Sequence, residues 1–327
     1  MQERREEEWS PPAGLLSDED VLGPMRQWQA ASRRVALVTL VEVEGGAPRQ
    51  AGAQMAVAED GRYVGYLSGG CLEEAVVLEA QAAIAQGANR LVRYGRGSPY
   101  FDIRLPCGTG LDLYFDQGLE APQLAAMTQF QASRTPFVLR TDLSSGVSHI
   151  DVANAGIPIA ASRRVGDIFK RVYPPKLQLL LLGSGPALVS IAALAATLGI
   201  ELLILSPDEE VRTALGRHKI VAEAELKAVL AELDFASAAV LIFHDHEKEL
   251  NYLAELLKTG CFYIGALGNR AVHRDRLEAL ASRCAKANLG RIRAPVGSIP
   301  GAKSKATLAV GVLMEMMAEA KALNLIA

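Results

Sequence analysis

The stretch LQLLLLGSGPALVSIAALAATLGIELLIL, residues 177–205, consists of two short apolar runs on either side of an alanine-rich segment. The pattern predicts a strand over residues 177–182, a helix over 185–198 and a second strand over 201–205. In this order the three elements form a β–α–β unit, whose two strands lie parallel and are buried on both faces. The GSGP turn interrupts the apolar stretch, which therefore does not predict a membrane span.

The same alternation continues to the end of the chain. Further strands are predicted over residues 238–243 and 262–264, and further helices over 223–233, 248–258, 272–283 and 305–323. Alternating strands and helices predict a Rossmann-like, doubly wound parallel sheet, whose ligand crevice lies at the carboxyl ends of the strands. We expect this domain to occupy residues 173–327 and to begin near Pro174 and Pro175, because two prolines disfavour a helix and stiffen a connection.

The amino-terminal half has a different pattern. Strands are predicted over residues 35–43, 54–58, 62–67, 90–94, 111–115 and 137–141, and helices over 72–86 and 121–133. A further helix is expected to begin near Ser17, and no element is predicted over residues 142–172. We therefore expect a mixed α/β domain over residues 13–172, preceded by a charged tail over residues 1–12 that lacks the apolar segment of a signal peptide.

The composition restricts the partners and the compartment. The chain has 327 residues, which is long enough for two domains that each bury a core. A formal net charge of -3 and 6% aromatic residues give no case for nucleic acid as a partner. The four cysteines form no CxxC pair, so we expect neither a zinc site nor a disulfide framework, and a reducing cytoplasm fits best.

The stretch SGGCLEE, residues 68–74, is the strongest candidate for chemistry in the first domain. Here Ser68, Gly69, Gly70 and Cys71 follow a predicted strand and precede a predicted helix. Two glycines let the chain turn sharply and are expected to leave unpaired N–H groups at the helix start, which favours anions and the thiolate form of a cysteine. The alternative is ordinary turn chemistry beside a small core cysteine.

Two other glycine-rich loops belong to the same predicted domain. EGGAPRQAG, residues 44–52, contains Arg49 as a fixed cation, which either faces a ligand or lies in a solvated loop. PCGTG, residues 106–110, contains Cys107 and Gly108 between two predicted strands. Since loops in such a domain converge, Cys107 is a candidate neighbour of the cysteine in SGGC, although the sequence does not show that the two meet.

The turn GSGPAL, residues 183–188, matches part of a dinucleotide-binding fingerprint. Gly183 and Gly185 are its first two glycines, but Leu188 replaces the third. We expect the bulky leucine to push the helix outward and to distort the pyrophosphate site. The sequence leaves two interpretations of this domain open. It either binds a dinucleotide or keeps a Rossmann-like fold only as a scaffold.

The end of the second strand in this unit also departs from the fingerprint. An acid normally binds the adenosine ribose there, whereas this chain has Ser206 followed by Pro207. We expect Ser206 to cap the next helix through a capping box. Asp208 could still reach a ribose. The acidic run over residues 208–210 would repel a 2′-phosphate, so NADP is the least expected nucleotide and NAD stays possible.

Two further turns follow predicted strands of the second domain. HDHE, residues 244–247, begins with His244 and Asp245 and either holds a ligand or metal or has a surface role. GALGNR, residues 265–270, is a glycine turn that could approach a ligand phosphate. Its candidate binding residues are Gly265, Gly268 and Arg270.

Together these motifs resemble the XdhC/CoxI family. EGGAPRQAGAQM (44–55), DGRYVGYLSGGCLEEAVV (60–77) and PCGTGLDLYF (106–115) are similar to its amino-terminal domain. LLGSGPALVSIAALAATLGIELLILS (181–206), FHD (243–245), YIGALGNRAVHRDRL (263–277) and IRAPVGSIPGAKSKATLAV (292–310) are similar to its Rossmann-type carboxyl-terminal domain. The chain departs from the family where Pro186 stands in place of a usual histidine and Ser206 in place of an acid.

The resemblance implies an accessory protein that binds molybdenum cofactor (molybdopterin) and delivers it to a molybdenum hydroxylase apoenzyme such as xanthine dehydrogenase. It also implies a homodimer and, in some cases, a cysteine desulfurase as a further partner. Carried over by motif, Arg49, Cys71 and Cys107 are the expected cofactor-binding residues of the first domain.

Two alternatives remain open from the sequence. An NAD-dependent oxidoreductase would use the β–α–β unit and a catalytic acid such as His244 or His273, although the sequence places no hydride site. Acyl or sulfur transfer by Cys71 as a nucleophile lacks an identifiable histidine or asparagine partner.

Overall fold

The computed structural model describes residues 20–98, 108–153, 160–243 and 246–326. The chain divides into two compact units, one that ends at Tyr173 and one from Pro174 to Ile326. The sheets of the first unit are antiparallel, and the sheet of the second is parallel. The predicted fold class, a mixed α/β domain followed by a Rossmann-like domain, is therefore confirmed.

The first unit contains two antiparallel sheets. Its elements are α1 (Leu22–Ala30), β1 (Val35–Glu44), β2 (Gln54–Ala58), β3 (Tyr63–Gly65), α2 (Glu73–Gln86), β4 (Arg90–Gly95), β5 (Gly110–Asp116), α3 (Ala121–Ala132), β6 (Phe137–Asp142), β7 (Ser148–Val152), β8 (Arg163–Val165) and β9 (Ile168–Tyr173). The five-stranded sheet has the order β3-β2-β1-β5-β4, and the four-stranded sheet has the order β7-β6-β9-β8.

Strand β1 is the centre of the five-stranded sheet because both of its faces are apolar. Ala36, Val38 and Leu40 face one buried cluster, which also contains Val76 and Ala80 of α2. The alternate residues of β1, beginning with Val35, face a second cluster formed with α1, α3 and β6. Alternation with a period of two therefore places apolar side chains on both sides of the sheet.

The four-stranded sheet corrects the expectation that no element lies within residues 142–172. Strands β7 and β8 are short, polar and mostly exposed, with the sequences SHIDV and RRV. Such strands lack the apolar alternation by which a strand is recognised. They form because β6 and β9 pair with each other, which leaves the backbone groups on the outer edge of each strand to pair with β7 and β8, respectively.

The second unit is one parallel sheet with helices between its strands. Its elements are β10 (Gln178–Gly183), α4 (Pro186–Thr197), β11 (Glu201–Leu205), α5 (Glu209–Ala214), β12 (Lys219–Ile220), a 3-10 turn (Glu223–Glu225), α6 (Leu226–Glu232), β13 (Ser237–Ile242), α7 (His246–Leu256), β14 (Tyr263–Ala266), α8 (Arg270–Ala281), α9 (Lys286–Leu289), β15 (Ile292–Arg293) and α10 (Lys305–Ala322). The strand order β12-β11-β10-β13-β14-β15 reverses direction between β10 and β13. This is the doubly wound dinucleotide-fold order, with its crevice at that reversal.

Gly183 lets β10 and β13 approach closely at the reversal. Its φ angle is 137°, and a Cβ atom there would lie 2.0 Å from the carbonyl oxygen of Ile242. The next amide, of Ser184, donates to that same oxygen at 3.1 Å. Any side chain at position 183 would therefore collide with the backbone of the neighbouring strand.

A buried ion pair joins α7 and α8 in the second unit. The Arg276 guanidinium donates to both carboxylate oxygens of Glu249, at 2.9 Å from Nη2 in each case, and also to the carbonyl oxygen of Leu267 at 2.7 Å. The two side chains are only 2% and 1% exposed. Removing one partner of such a pair leaves an uncompensated buried charge.

The helices that the structure describes are too short or too polar to cross a bilayer. Across the described ranges, none combines the length and the apolar character that a membrane span requires. This agrees with the interpretation of residues 177–205 as strand, helix and strand.

We expect Gly183→Ala to destabilise the second unit by about 3 kcal/mol or more, because it adds both a steric collision and an unfavourable φ angle. Urea unfolding followed by circular dichroism measures the loss. Gly290→Ala is the matched control, since Gly290 has a φ angle of −65° and no atom within 4 Å of the position that a Cβ would take. Equal stability of the two variants would contradict the close approach of β10 to β13.

We expect Arg276→Met to cost roughly 3–5 kcal/mol, because Glu249 would remain buried without a cation. The control is Arg293→Met, since Arg293 pairs with Glu319 while the two side chains are 47% and 35% exposed. Exposed pairs contribute about 0–1 kcal/mol. A loss of similar size in both variants, measured by urea unfolding, would show that burial of the first pair is unimportant.

Candidate functional site

Three loops of the first unit leave the five-stranded sheet at the same edge. Strands β1, β3 and β4 run in one direction, because each pairs antiparallel with β2 or β5. Glu44 at the end of β1 and Gly95 at the end of β4 both lie opposite Gly110, where β5 begins. Gly65 at the end of β3 lies opposite Met55 near the start of β2. The loops that carry Arg49, Cys71 and Gly108 therefore share one edge of the sheet.

Arg49 links two of these loops. Its Nη1 donates to the hydroxyl of Tyr66 at 3.2 Å, and its guanidinium carbon lies 4.5 Å from the centre of the Tyr66 ring. Tyr66 directly precedes the buried Leu67 and then the SGGC stretch. The Nε atom of Arg49 is buried and has no hydrogen-bond partner within the described ranges. Arg49 is therefore a half-buried cation held beside the Cys71 loop.

The loop before β5 lies next to the loop after β1. A Cβ atom on Gly45 would be 3.5 Å from Cγ2 of Thr109, so the two loops are in contact. Gly108 is exposed, with a φ angle of 63° and no atom within 4 Å of a Cβ position. Cys107 lies outside the described residues, so its approach to Cys71 stays a prediction.

The SGGC stretch forms an exposed turn between two buried anchors. Leu67 and Leu72 are almost completely buried, while Gly69, Gly70 and Cys71 are exposed. The φ angles of the two glycines are 81° and 111°, which L-amino acids rarely adopt, and a Cβ atom on either would meet nothing within 4 Å. No described residue fills the space beside the two glycines, and Cys71 is an exposed free thiol in this turn.

Four of the six amide groups of residues 67–72 are paired with one carboxylate, contrary to the expectation from the sequence. The Glu73 carboxylate accepts hydrogen bonds through Oε1 from the amides of Leu67 and Ser68 at 3.0 and 2.9 Å. Through Oε2 it accepts from the Ser68 hydroxyl at 2.8 Å and from the amides of Gly70 and Leu72 at 2.9 and 3.1 Å. Four of the N–H groups predicted to bind an anion therefore already hold one.

Glu73 is the site residue that sequence reasoning missed. Burial raises the pKa of its carboxyl group, but hydrogen bonds from Ser68 and Leu67 outweigh burial, and the resulting pKa lies below the usual value. In the sequence it resembles any acid in the first turn of a helix. The available signal was its position three residues after Gly70, where an acid at a helix start can reach back to amides.

The two glycines of the GSGP turn have different surroundings. Gly183 is packed against β13, whereas Gly185 has a φ angle of 81° and no atom within 4 Å of a Cβ position. Helix α4 begins directly after Gly185, and Leu188 is fully buried on its inner side. Of the two glycines, Gly185 is therefore the one with no described neighbour beside its Cβ position at the strand reversal.

The expected capping role of Ser206 is wrong. Asp208 caps α5, because its Oδ1 accepts from the Glu210 amide at 3.0 Å. The Ser206 hydroxyl instead accepts from the Asp208 amide at 3.1 Å, which forms a local turn before the helix. One carboxylate oxygen of Asp208 is thus committed to the helix, and ribose binding by this residue stays a prediction.

The remaining candidates of the second unit lie around β14 and α8. Gly265 is inside β14, and a Cβ there would lie 2.5 Å from Val296, so its missing side chain accommodates packing. Gly268 lies in the turn before α8, with Val272 3.0 Å from a Cβ position, and Arg270 is exposed at the start of that helix. His244 and Asp245 lie outside the described residues. Within the described part of the chain, no group of three potential metal ligands is found.

His273, the other acid candidate, lies on α8. Burial first, and the neighbouring Arg276 second, lower its pKa below the usual value. Its Nδ1 atom is buried and has no partner among the described residues. These surroundings favour a neutral imidazole.

Comparison with known proteins identifies both halves of the chain. Residues 28–95 match the XdhC and CoxI family, and residues 179–316 match the XdhC Rossmann domain. The chain is 34% identical over 319 residues to the molybdenum cofactor insertion chaperone PaoD of Escherichia coli K12, covering 95% of this chain and 92% of that protein.

A second relative and one solved structure are similar over comparable lengths. The chain is 26% identical over 309 residues to a Bacillus subtilis 168 protein described as a probable subunit of xanthine dehydrogenase, covering 86% of this chain and 92% of that protein. A crystal structure described as a xanthine dehydrogenase from Bacillus halodurans superposes with a TM-score of 0.75 at 19% identity, covering 93% of this chain and 96% of that chain. At this identity the structure supports the fold.

We expect iodoacetamide to alkylate Cys71 long before Cys261 in the folded protein. Cys71 is exposed, whereas burial raises the pKa of Cys261 to about 11. Peptide mass spectrometry over a time course measures both rates, and the same reaction in denaturant is the control in which the difference should vanish. Equal rates in the folded protein would contradict the exposed turn.

Proposed function

The chain belongs to the XdhC and CoxI family, and from this we propose that it is an accessory protein that binds molybdenum cofactor and assists its maturation and insertion into a molybdenum hydroxylase such as xanthine dehydrogenase. The observation that carries the proposal is the 34% identity to an insertion chaperone over nearly the whole of both chains. Similarity of this extent includes both the loop-bearing unit and the Rossmann unit.

The chemistry at the edge of the first unit supports this cargo. Molybdenum in the cofactor is a thiophilic metal, and an exposed thiol such as that of Cys71 is a soft ligand for it. The cofactor also carries a phosphate, for which a guanidinium is a suitable partner. Arg49 is held beside the same loop, with a buried Nε that lacks a partner among the described residues. We therefore assign the metal end of the cofactor to Cys71 and an anionic group to Arg49.

The other candidate binding residues are part of the proposal with less support. In the first unit they are Ser68, Gly69, Gly70, Cys107 and Gly108. In the second unit they are Gly183, Gly185, Asp208, His244, Asp245, Gly265, Gly268 and Arg270. Of these, Gly185 has the most favourable surroundings, because no described residue lies beside its Cβ position at the strand reversal.

We infer a carrier rather than a catalyst, with a molybdenum hydroxylase apoenzyme as its principal partner. A cysteine desulfurase as a further partner, a homodimer and a cytoplasmic location belong to the same proposal. The rival, an NAD-dependent oxidoreductase, rests on the strand order of the second unit alone. Calorimetric titration with NAD, followed by a search for substrate-dependent change in NADH absorbance, tests that rival.

We expect Cys71→Ala to reduce the molybdopterin that co-purifies from a molybdate-grown host by roughly tenfold or more, since a direct ligand should matter at least as much as the residues that orient one. Fluorescence of the oxidised pterin measures retention, and activation of a xanthine dehydrogenase apoenzyme measures delivery. Cys284→Ala is the control, because Cys284 packs against the core of the second unit. Wild-type retention and delivery by Cys71→Ala would contradict the assignment.

A further inference from the structure

The Glu73 carboxylate is the most heavily hydrogen-bonded group described at the candidate site. One side chain accepts four backbone amides and one hydroxyl, all from residues 67–72. We propose that Glu73 is an internal anion that fixes the shape of the Cys71 turn and excludes other anions from the four amides that it binds. This inference rests on the proposed function, because it describes how the turn would receive the cofactor.

The positions of the donors explain how one carboxylate holds the turn. Leu67 and Ser68 precede the two glycines, while Gly70 and Leu72 flank Cys71. A single group that binds donors on both sides of a turn closes the turn around itself. The Ser68 hydroxyl adds a second link, since it donates to Glu73 and accepts from the Leu72 amide at 2.9 Å. The exposed part of the turn is its tip, Gly69–Cys71.

The charge of Glu73 is balanced by these donors and not by a cation. The residue is buried, and within the described ranges it has no ion-pair partner. Charge-assisted hydrogen bonds to amides can stabilise a buried carboxylate in this way. A second anion that approached the turn would therefore find these four amides and the Ser68 hydroxyl already used and would meet a negative charge.

This arrangement sets the orientation of a bound cofactor. The four amides bound by Glu73 are not available to a phosphate, so the thiol of Cys71 at the exposed tip is presented to the metal end of the cargo. Arg49, on the neighbouring loop, remains as the cation for an anionic group. Glu73 is thus a positioning residue: it acts on the cargo through the Cys71 turn.

The test compares the rates at which two alkylating reagents of different charge react with Cys71. Iodoacetate is an anion and iodoacetamide is neutral, and both react with the same thiolate, so the ratio of their rates at one pH reports the local charge and not the thiolate fraction. We expect the ratio of the iodoacetate rate to the iodoacetamide rate to rise by about threefold in Glu73→Gln. Removing one negative charge near a solvated thiol weakens the repulsion of the anionic reagent by an amount of this order. Peptide mass spectrometry restricts the measurement to Cys71.

Two control variants separate charge from structure. Glu73→Asp keeps the charge but is too short to reach all five donors, so its rate ratio should stay close to that of the wild type. Glu74→Gln removes the same charge from an exposed neighbour in α2, and its ratio should change less than that of Glu73→Gln. Circular dichroism and thermal unfolding confirm that each variant is folded. A ratio that is unchanged in Glu73→Gln, or that changes equally in Glu74→Gln, would overturn the proposal.

The alkylation ratio does not depend on the cofactor, so the inference and the proposed function fail separately. If wild-type protein and Cys71→Ala retain the same amount of molybdopterin, the proposed function of Cys71 fails while the ratio still tests Glu73. If wild-type protein retains the cofactor and Glu73→Gln retains equally much, Glu73 does not position the turn for binding. We expect Glu73→Gln to retain less, with Glu73→Asp intermediate.

Discussion

The burial of β1 on both faces is the constraint on which the first unit depends. A strand with apolar side chains on both sides must lie between two layers, and here α2 covers one face while α1, α3 and β6 cover the other. Its backbone groups are paired on both edges, by β2 and by β5. The antiparallel pairing that spreads from β1 then brings the ends of β1, β3 and β4 to one edge, where the candidate site lies.

Glu73 in the first unit and Glu249 in the second are both buried carboxylates, and they are stabilised differently. Glu249 is paired with a guanidinium, so its charge is cancelled and the pair serves to join two helices. Glu73 is held by amides and a hydroxyl, so its negative charge persists beside an exposed thiol. The first arrangement is structural. The second affects which groups can approach Cys71, because a persistent charge acts on ligands as well as on the fold.

The sequence predicted the elements of the second unit better than those of the first. The strand, helix and strand over residues 177–205 are confirmed with small shifts at their ends, because buried parallel strands are continuous apolar runs. Strands β7 and β8 were missed because they are polar and exist through pairing with β6 and β9. The cap of α5 was placed on Ser206, although Asp208, two residues later, holds the first-turn amide. Local rules name the residue types of a cap but do not decide between adjacent candidates.

By itself, the sequence determined the two-domain α/β class, the glycine-rich turns and the presence of a cysteine between a strand and a helix, because these follow from apolar periodicity and backbone sterics. Only the tertiary structure decided which groups satisfy the amides of that turn. The order of residues offers one signal, an acid three residues after Gly70, but it does not show that the Glu73 side chain folds back as far as Leu67 and Ser68. That choice depends on the burial of Leu67 and Leu72 on either side, which places the carboxylate within reach of the donors and out of the solvent.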